Sequence, residues 1–363
     1  MKIVLTGGHI TPAIAMLPLL SSHALLFVVR KHTYEGDTGG SYEYKTVQEL
    51  GLPFKTIATG RLQRHFTIYT IPSLLRFPVG FLQSLFILAS FKPNVIVSFG
   101  GYVALPVCLA GFLLKIPIVI HEQTVGAGLA NKLTGFLAKK ICVTFPQSGA
   151  FFPKQKVVHT GNPLRKELFD PPSTPPFGIP RHHRFPLIYV TGGSGGSHDI
   201  NILIEELLEV LLREAIVVHQ TGSIELFGDY SRLTKKAETL PKELRDCYIP
   251  KKHIAPSELA WLYGNASLLV GRSGANTVNE ILTFRIPSLL IPLSVAAGGE
   301  QEANAKLVEN AGIGKVISQE GLTGAMLLGH IESMISKTRK REKPMSNDAP
   351  ERIMNVVKDV SSL

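Results

Sequence analysis

The chain has 363 residues, 45% of them hydrophobic and 18% charged, and a formal net charge of +10. That length suits two domains, and the composition excludes a disordered or fibrous protein. A pI near 9.4 and a mean hydropathy of +0.18 point to a polyanionic ligand and a lipid-facing surface. No long Lys/Arg tract with interleaved aromatics occurs, so nucleic acid is not an expected partner.

In chain order, short β-branched runs alternate with helical patterns, the signature of parallel α/β sheets. Strands are expected at residues 2–5, 24–29, 95–97, 118–120 and 140–143, with helices around 13–20, 103–114 and 128–138. The first apolar run is too short for a signal peptide and reads as a buried strand. Residues 66–91 are apolar and of spanning length, but Pro72, Arg76, Pro78 and Gln83 interrupt them. A buried pair of helices, part of it meeting an interface, is expected there. Residues 163–186 are crowded with proline and read as an interdomain linker. A second cycle follows, with strands at 187–191, 215–219, 268–270 and 288–291 and helices at 201–212, 256–263, 277–283 and 301–310. The basic run 337–343 is a solvated face or an anionic-lipid contact, and a helical pattern closes the chain from Pro350. Cys108, Cys142 and Cys247 have no paired spacing, which argues for a reducing compartment and against a disulfide framework or structural zinc.

Six motifs carry the candidate chemistry. Thr6-Gly7-Gly8-His9 follows the first strand, with Pro12 opening a helix. Its glycines form either an ordinary tight turn or a backbone that approaches a ligand, while His9 falls at the strand's carboxyl end, where ligands bind. Ser98-Phe99-Gly100-Gly101-Tyr102 repeats the pattern, with the same two readings. In Gly192-Gly193-Ser194-Gly195-Gly196-Ser197 the anion-binding reading prevails, because small residues and a hydroxyl open a helix. It lacks the Lys-Ser/Thr of a P-loop, so ATP hydrolysis is disfavoured. His121-Glu122-Gln123-Thr124, with Asn131 beyond, lacks a zinc protease's second His and suits a polyol better than a metal. In the run Arg272 to Glu280, the glutamate serves either the helix dipole or both ribose hydroxyls of a nucleotide. Glu300-Gln301-Glu302-Ala303-Asn304 offers amides, which both donate to and accept from sugar hydroxyls.

The ordered set TGGH, GGY, HEQ…GLANK, GNPLR, GGSGGS, RSGANTVNE and QEANA, from Thr6 to Asn304, resembles the MurG family. That family moves N-acetylglucosamine (GlcNAc) from UDP-GlcNAc to undecaprenyl-linked lipid I, making lipid II. The resemblance implies an α/β GT-B fold of two Rossmann-like parallel-sheet domains facing a central cleft. Residues 1–163 would be the acceptor and membrane side, 164–344 the UDP-sugar side, and 345–363 a helix returning to the first domain. It implies that Gly193 and Ser194 meet the pyrophosphate, Arg165 reaches the donor, the Ile254 backbone reads uracil and Glu280 takes the ribose. Ala275, Asn276, Thr277 and Gln301 would surround phosphates and GlcNAc hydroxyls, with Arg272 and Gly274 of the same motif among the substrate-binding residues. Thr6, Gly7, Gly8, Tyr102, Thr124 and Asn131 complete that set on the first domain.

Transfer with inversion needs a base on the acceptor hydroxyl. His9 is the first candidate, with Glu122 or His121 next. No convincing DxD motif occurs, so no metal or other cofactor is expected. Residues 68–91, flanked by Arg61, Arg64 and Arg76, would dock the protein peripherally on the cytoplasmic face of the membrane. The chain departs from the family in its clipped first glycine loop, in Thr124 for the usual Asn, in Gly195 for the usual Gln, and in a second loop without Ser-Gly. Alternatives are a related transferase acting on another lipid such as diacylglycerol, a UDP-GlcNAc epimerase, and a non-catalytic UDP-sugar-binding protein.

Overall fold

The computed structural model describes residues 1–32, 40–60, 70–181, 183–224, 226–293, 299–336 and 342–362. The chain forms two compact units, Met1–Arg165 with Asn347–Leu363, and Lys166–Ser346.

Among the described residues, the first unit holds seven parallel strands: β1 (Lys2–Thr6), β2 (Ala24–Val29), β3 (Phe54–Thr56), β4 (Val95–Ser98), β5 (Ile118–Glu122), β6 (Lys140–Val143) and β7 (Val157–His159). Their order is β3-β2-β1-β4-β5-β6-β7, so the winding reverses between β1 and β4. β4 and β5 are buried along their whole length, as strands covered on both faces must be. The edge strands β3 and β7 are three residues each and half exposed, too short to show a pattern in sequence.

The helices are α1 (Ile10–Ala15), α2 (Leu17–Leu20), α3 (Tyr42–Glu49), α4 (Thr70–Phe91), α5 (Ala104–Leu113) and α6 (Leu129–Gly135). Right-handed crossovers put α1 to α3 on one sheet face and α4 to α6 on the other. Two cores result. Ile3, Leu5 and Phe27 point into one, Val4, Ile96 and Ile118 into the other.

The structure corrects three expectations. The helix expected over 13–20 is two short helices, because Pro18 cannot donate the N–H that would continue the first one. The expected helix pair in 66–91 is, from Thr70 onward, one 22-residue helix running through Pro78. Pro78 is exposed, so loss of a single backbone bond is tolerated there. Residues 66–69, like Arg61 and Arg64, lie outside the described residues. No described helix is long and apolar enough to cross a membrane. The proline-rich stretch after residue 163 is no free linker. It makes 3-10 turns at Lys166–Phe169 and Pro176–Gly178, buries Leu168 and Ile179, and packs Phe169 at 4.9 Å from the Phe284 ring.

The second unit has strands β8 (Leu187–Thr191), β9 (Ile216–Gln220), β10 (Tyr248–Lys251), β11 (Leu268–Gly271), β12 (Ser288–Leu290) and β13 (Gly314–Val316), in the order β10-β9-β8-β11-β12-β13. Helices α7 (His198–Leu211), α8 (Asp229–Thr239), α9 (Lys242–Arg245), α10 (Pro256–Asn265), α11 (Ala275–Phe284), α12 (Glu300–Asn310) and α13 (Gly324–Ile335) cover it. α7 buries Ile200, Leu203, Ile204, Leu207, Leu208 and Leu211, the i, i+3, i+4 stripe of a core-facing helix.

A last helix, α14 (Ala349–Ser361), belongs to the first unit and packs Ile353, Met354, Val357 and Val360 against the Ile3, Leu5 and Phe27 core. Asn347 ties its entry to Leu164: the Leu164 N–H donates to Oδ1 at 3.2 Å and Nδ2 donates to the Leu164 carbonyl at 2.8 Å. Of the basic run 337–343, residues 337–341 lie outside the described residues.

Candidate active site

In the first unit, two glycine turns leave the carboxyl ends of β1 and β4 side by side, at the winding reversal where such sheets bind ligands. Thr6 is buried, its hydroxyl donating to the Val28 carbonyl at 2.9 Å. Gly8 N–H donates to the Gly100 carbonyl at 2.8 Å. A Cβ on Gly7 would lie 2.8 Å from the Phe99 carbonyl carbon, and one on Gly101 (φ +76°) would lie 2.8 Å from the Gly8 nitrogen. The backbone crowding is therefore between the two loops and needs no ligand to explain it. Tyr102 is half-buried beyond the second turn. His9 is exposed, with Nδ1 3.1 Å from the Phe99 carbonyl. A carbonyl only accepts, so Nδ1 carries the proton and Nε2 keeps its lone pair outward from that bond.

The other two candidate bases are placed differently. Glu122 is buried at the end of β5 and accepts four hydrogen bonds: Thr124 N–H at 2.9 Å, Thr124 hydroxyl at 2.8 Å, Gly128 N–H at 2.9 Å and Asn131 Nδ2 at 2.9 Å. It ties its own turn to the start of α6. Thr124 and Asn131 are buried with it, so their donors face the protein. His121 is buried beneath, its Nε2 3.1 Å from the Gly161 carbonyl. Burial pushes its pKa down to about 4 against the opposing pull of that carbonyl, and the ring is neutral near pH 7. Arg165 is half-buried, and its Nε has no hydrogen-bond partner among the described residues.

In the second unit, the glycine-serine turn joins β8 to α7. Gly192 and Gly196 are compelled by packing: a Cβ on the first would strike Ser197, and on the second the Thr221 carbonyl. The loop's carbonyls are claimed. Gly193 accepts from Gln220 Nε2 at 3.1 Å, Ser194 from Ser223 N–H at 3.1 Å, and Gly195 from Ile224 N–H at 3.2 Å. The N–H groups of Ser194 and Gly195 have no such partner among the described residues. Ser197 sits at the N-cap of α7 without capping it, because its hydroxyl instead accepts from Arg272 Nε at 3.0 Å. The leading amides of a 14-residue helix are left open beside the loop amides, a ready seat for a diphosphate.

Arg272 is nearly buried and spends its guanidinium on the protein, reaching the Ile291 carbonyl at 3.0 Å, Gln319 at 2.6 Å and Asp199 at 3.1 Å. It braces the loop from β11. Gly274 opens α11, with space where a Cβ would stand, and Asn276 and Thr277 of the first turn are half-buried. Glu280 is in the second turn of α11, beyond reach of the helix-end dipole, and is gripped by the Tyr263 hydroxyl at 2.7 Å. Gln301 accepts from Leu293 N–H at 3.0 Å, and its own carbonyl accepts from the Ser273 hydroxyl at 2.7 Å. Ile254 is fully buried, its backbone included. Among the described residues, no three His, Cys, Asp or Glu cluster as metal ligands. Tyr263 and Gln319 lie in no motif. Only folding brings them to the site.

Two parallel α/β sheets, each with a glycine turn at its leading strand, give the chain the two-domain fold of the GT-B class. Residues 4–143 match the glycosyltransferase family 28 N-terminal domain and residues 187–360 its C-terminal domain. The chain is 32% identical to the UDP-N-acetylglucosamine–N-acetylmuramyl-(pentapeptide) pyrophosphoryl-undecaprenol N-acetylglucosamine transferase of Lachnoclostridium phytofermentans, over 99% of both chains. It is 31% identical to the transferase of that name from Clostridium novyi, over 96% of this chain and 94% of that one. Among solved structures it resembles MurG of Acinetobacter baumannii (TM-score 0.67, 22% identity, 99% of both chains). It also resembles the UDP-GlcNAc 2-epimerase of Neisseria meningitidis bound to UDP-GlcNAc (TM-score 0.66, 14% identity, 99% of this chain and 100% of that one). The chain belongs to glycosyltransferase family 28.

Proposed function

We propose that this protein transfers GlcNAc from UDP-GlcNAc to the muramyl 4-hydroxyl of undecaprenyl-linked lipid I, forming lipid II with inversion at the anomeric carbon. The reading rests on the unclaimed amides of Ser194 and Gly195 beside the uncapped start of α7. Departure of UDP concentrates charge on a diphosphate. Fixed donors aimed at developing charge usually lower a reaction barrier more than any other device in an active site. In this reading the second unit holds the donor, with Glu280 accepting the ribose hydroxyls and Gln301, Asn276 and Thr277 addressing phosphates and sugar. The first unit serves the acceptor. His9 Nε2 takes the proton of the attacking hydroxyl. Glu122, occupied by protein donors, and His121, which donates to the Gly161 carbonyl, are both buried and brace the first unit instead.

The acceptor is anchored in a bilayer, so the enzyme works at its surface. The layer of α4 to α6 supports a peripheral site on the cytoplasmic face of the membrane. It leaves Leu82, Phe86, Leu133 and Phe136 exposed, with the Lys132 ammonium 4.0 Å over the Phe151 ring and Lys156 bonded at 2.8 Å to the Phe136 carbonyl.

The test uses radiolabelled UDP-GlcNAc with a short-chain lipid I analogue, and diacylglycerol as a competing acceptor. Lipid II is the expected product. His9→Ala is expected to slow turnover by roughly 10²–10⁴-fold with donor affinity unchanged. Undiminished turnover in that variant removes His9 from the role.

A further inference from the structure

Beside the diphosphate seat stands a histidine that the donor and acceptor roles above leave unused. His198, the first residue of α7, has Nδ1 2.9 Å from Asp229 Oδ1, and its ring lies flat on Phe227 with centroids 4.0 Å apart. The side chain is 31% exposed, whereas Asp229 is 7% exposed and fixed from three sides. Asn201 Nδ2 donates to its Oδ2 at 2.9 Å, and Arg232 Nη2 to its Oδ1 at 2.7 Å. Burial opposes ionisation of Asp229, but the bonds from Asn201, His198 and Arg232 outweigh it and hold the carboxyl below its usual range. Asp229 is thus an anion across the range in which a histidine changes charge.

This fixes the ring's orientation. Asp229 accepts from Nδ1–H, so the second nitrogen, Nε2, is available to a ligand, and a proton there makes an imidazolium with two donors. An imidazolium at a helix start is disfavoured by the positive end of the dipole, and Asp229 offsets that cost. The remaining charges nearby are otherwise engaged. Arg232 is shared between Asp229 and Glu205 at 2.7 Å, Asp199 is paired with Arg272, and His219 is buried against Asn201 and Tyr248. None of them supplies a mobile cation to the seat.

We propose that His198 is a proton-linked ligand of the donor diphosphate: protonated at Nε2, with Asp229 as counter-ion, it donates to a phosphate oxygen as UDP-GlcNAc binds. The inference rests on the donor reading above and deepens it. Phe227 keeps the ring from rotating away, and the same loop is stitched to the glycine-serine turn through Ser223 and Ile224. Binding takes up a fraction of a proton from solvent, so donor affinity is greatest at low pH and falls as the pH rises.

UDP-GlcNAc is the suitable probe, since its diphosphate has no ionisation of its own between pH 6 and 8.5. Calorimetry is run over that range, and at pH 7.5 in two buffers of different ionisation enthalpy. The native chain is expected to bind about tenfold more weakly at pH 8.5 than at pH 6, with proton uptake. His198→Gln is expected to bind weakly with a flat profile. His198→Arg, a cation at every pH, is expected to bind tightly with a flat profile. A native profile that is flat, or a His198→Gln profile that still falls with pH, overturns the proposal while leaving the donor site standing. Absence of UDP-GlcNAc binding by the native chain at every pH overturns the donor reading itself.

Discussion

Replacing Glu122 by Gln separates a base from a brace. All four contacts of the carboxylate come from donors, two from Thr124 and one each from Gly128 and Asn131. A glutamine has one accepting oxygen, so its NH₂ faces either the Gly128 and Asn131 donors or the Thr124 N–H and hydroxyl; only the hydroxyl can turn to accept, so one or two bonds are lost. Bonds to a charged acceptor contribute about 1.5–3 kcal/mol each, which sets the loss at about 1.5–6 kcal/mol. For a unit of this size that lowers its midpoint by roughly 10 °C. Circular dichroism follows both units, whereas fluorescence of Trp261, the chain's one tryptophan, reports the second. The expected result is an early dichroism transition with the fluorescence midpoint and UDP-GlcNAc affinity unchanged. A Glu122→Gln protein that melts normally yet fails to turn over would refute the brace and restore Glu122 as base.

Four further outcomes follow from the geometry. Gly101→Ala, at φ +76° and 2.8 Å from the Gly8 nitrogen, is expected to cost about 2–3 kcal/mol in urea unfolding, because one loop must move off the other. Burial lowers the pKa of His219 to about 3, so below pH 6.5 the unfolded chain binds a proton that the native one refuses. Stability of the second unit is expected to fall by about 1.4 kcal/mol per pH unit from pH 6 towards 4, and His219→Gln to flatten that slope. Tyr263→Phe removes the hydroxyl that fixes Glu280 at 2.7 Å, and UDP affinity is expected to drop about tenfold by calorimetry. Leu133→Glu with Phe136→Glu alters side chains 45% and 72% exposed, so co-sedimentation with anionic vesicles is expected to fall while melting is unchanged.

What the sequence disclosed depended on how local the signal was. Buried strands such as β1, β4 and β8 announce themselves as apolar runs ending in glycine, and the motifs fall at their carboxyl ends. The three-residue edge strands, and α8 with only Asp229, Leu233 and Ala237 buried, carry no comparable pattern. The glycine motifs were legible as positions, but not as causes: Gly7 and Gly101 are required by each other's loops. Likewise, Glu122 and Arg272 announce themselves as site residues, yet their side chains are consumed by protein partners. Tyr263 stands 17 residues from Glu280, and Arg272 stands 47 from Gln319; no spacing rule links such pairs.

The clasp between Leu164 and Asn347 makes the second unit an insertion, carried between two points of the first that touch each other. During synthesis the seven-stranded sheet is complete by residue 159, but the face that carries α1 to α3 stays only partly covered until α14 follows some 190 residues later. Through that interval Ile3, Leu5, Phe27 and Val97 lack the cover of Ile353, Met354, Val357 and Val360. The half made first is thus finished last, so a chain shortened before Ala349 would keep a closed second unit and a first unit with an open, aggregation-prone flank.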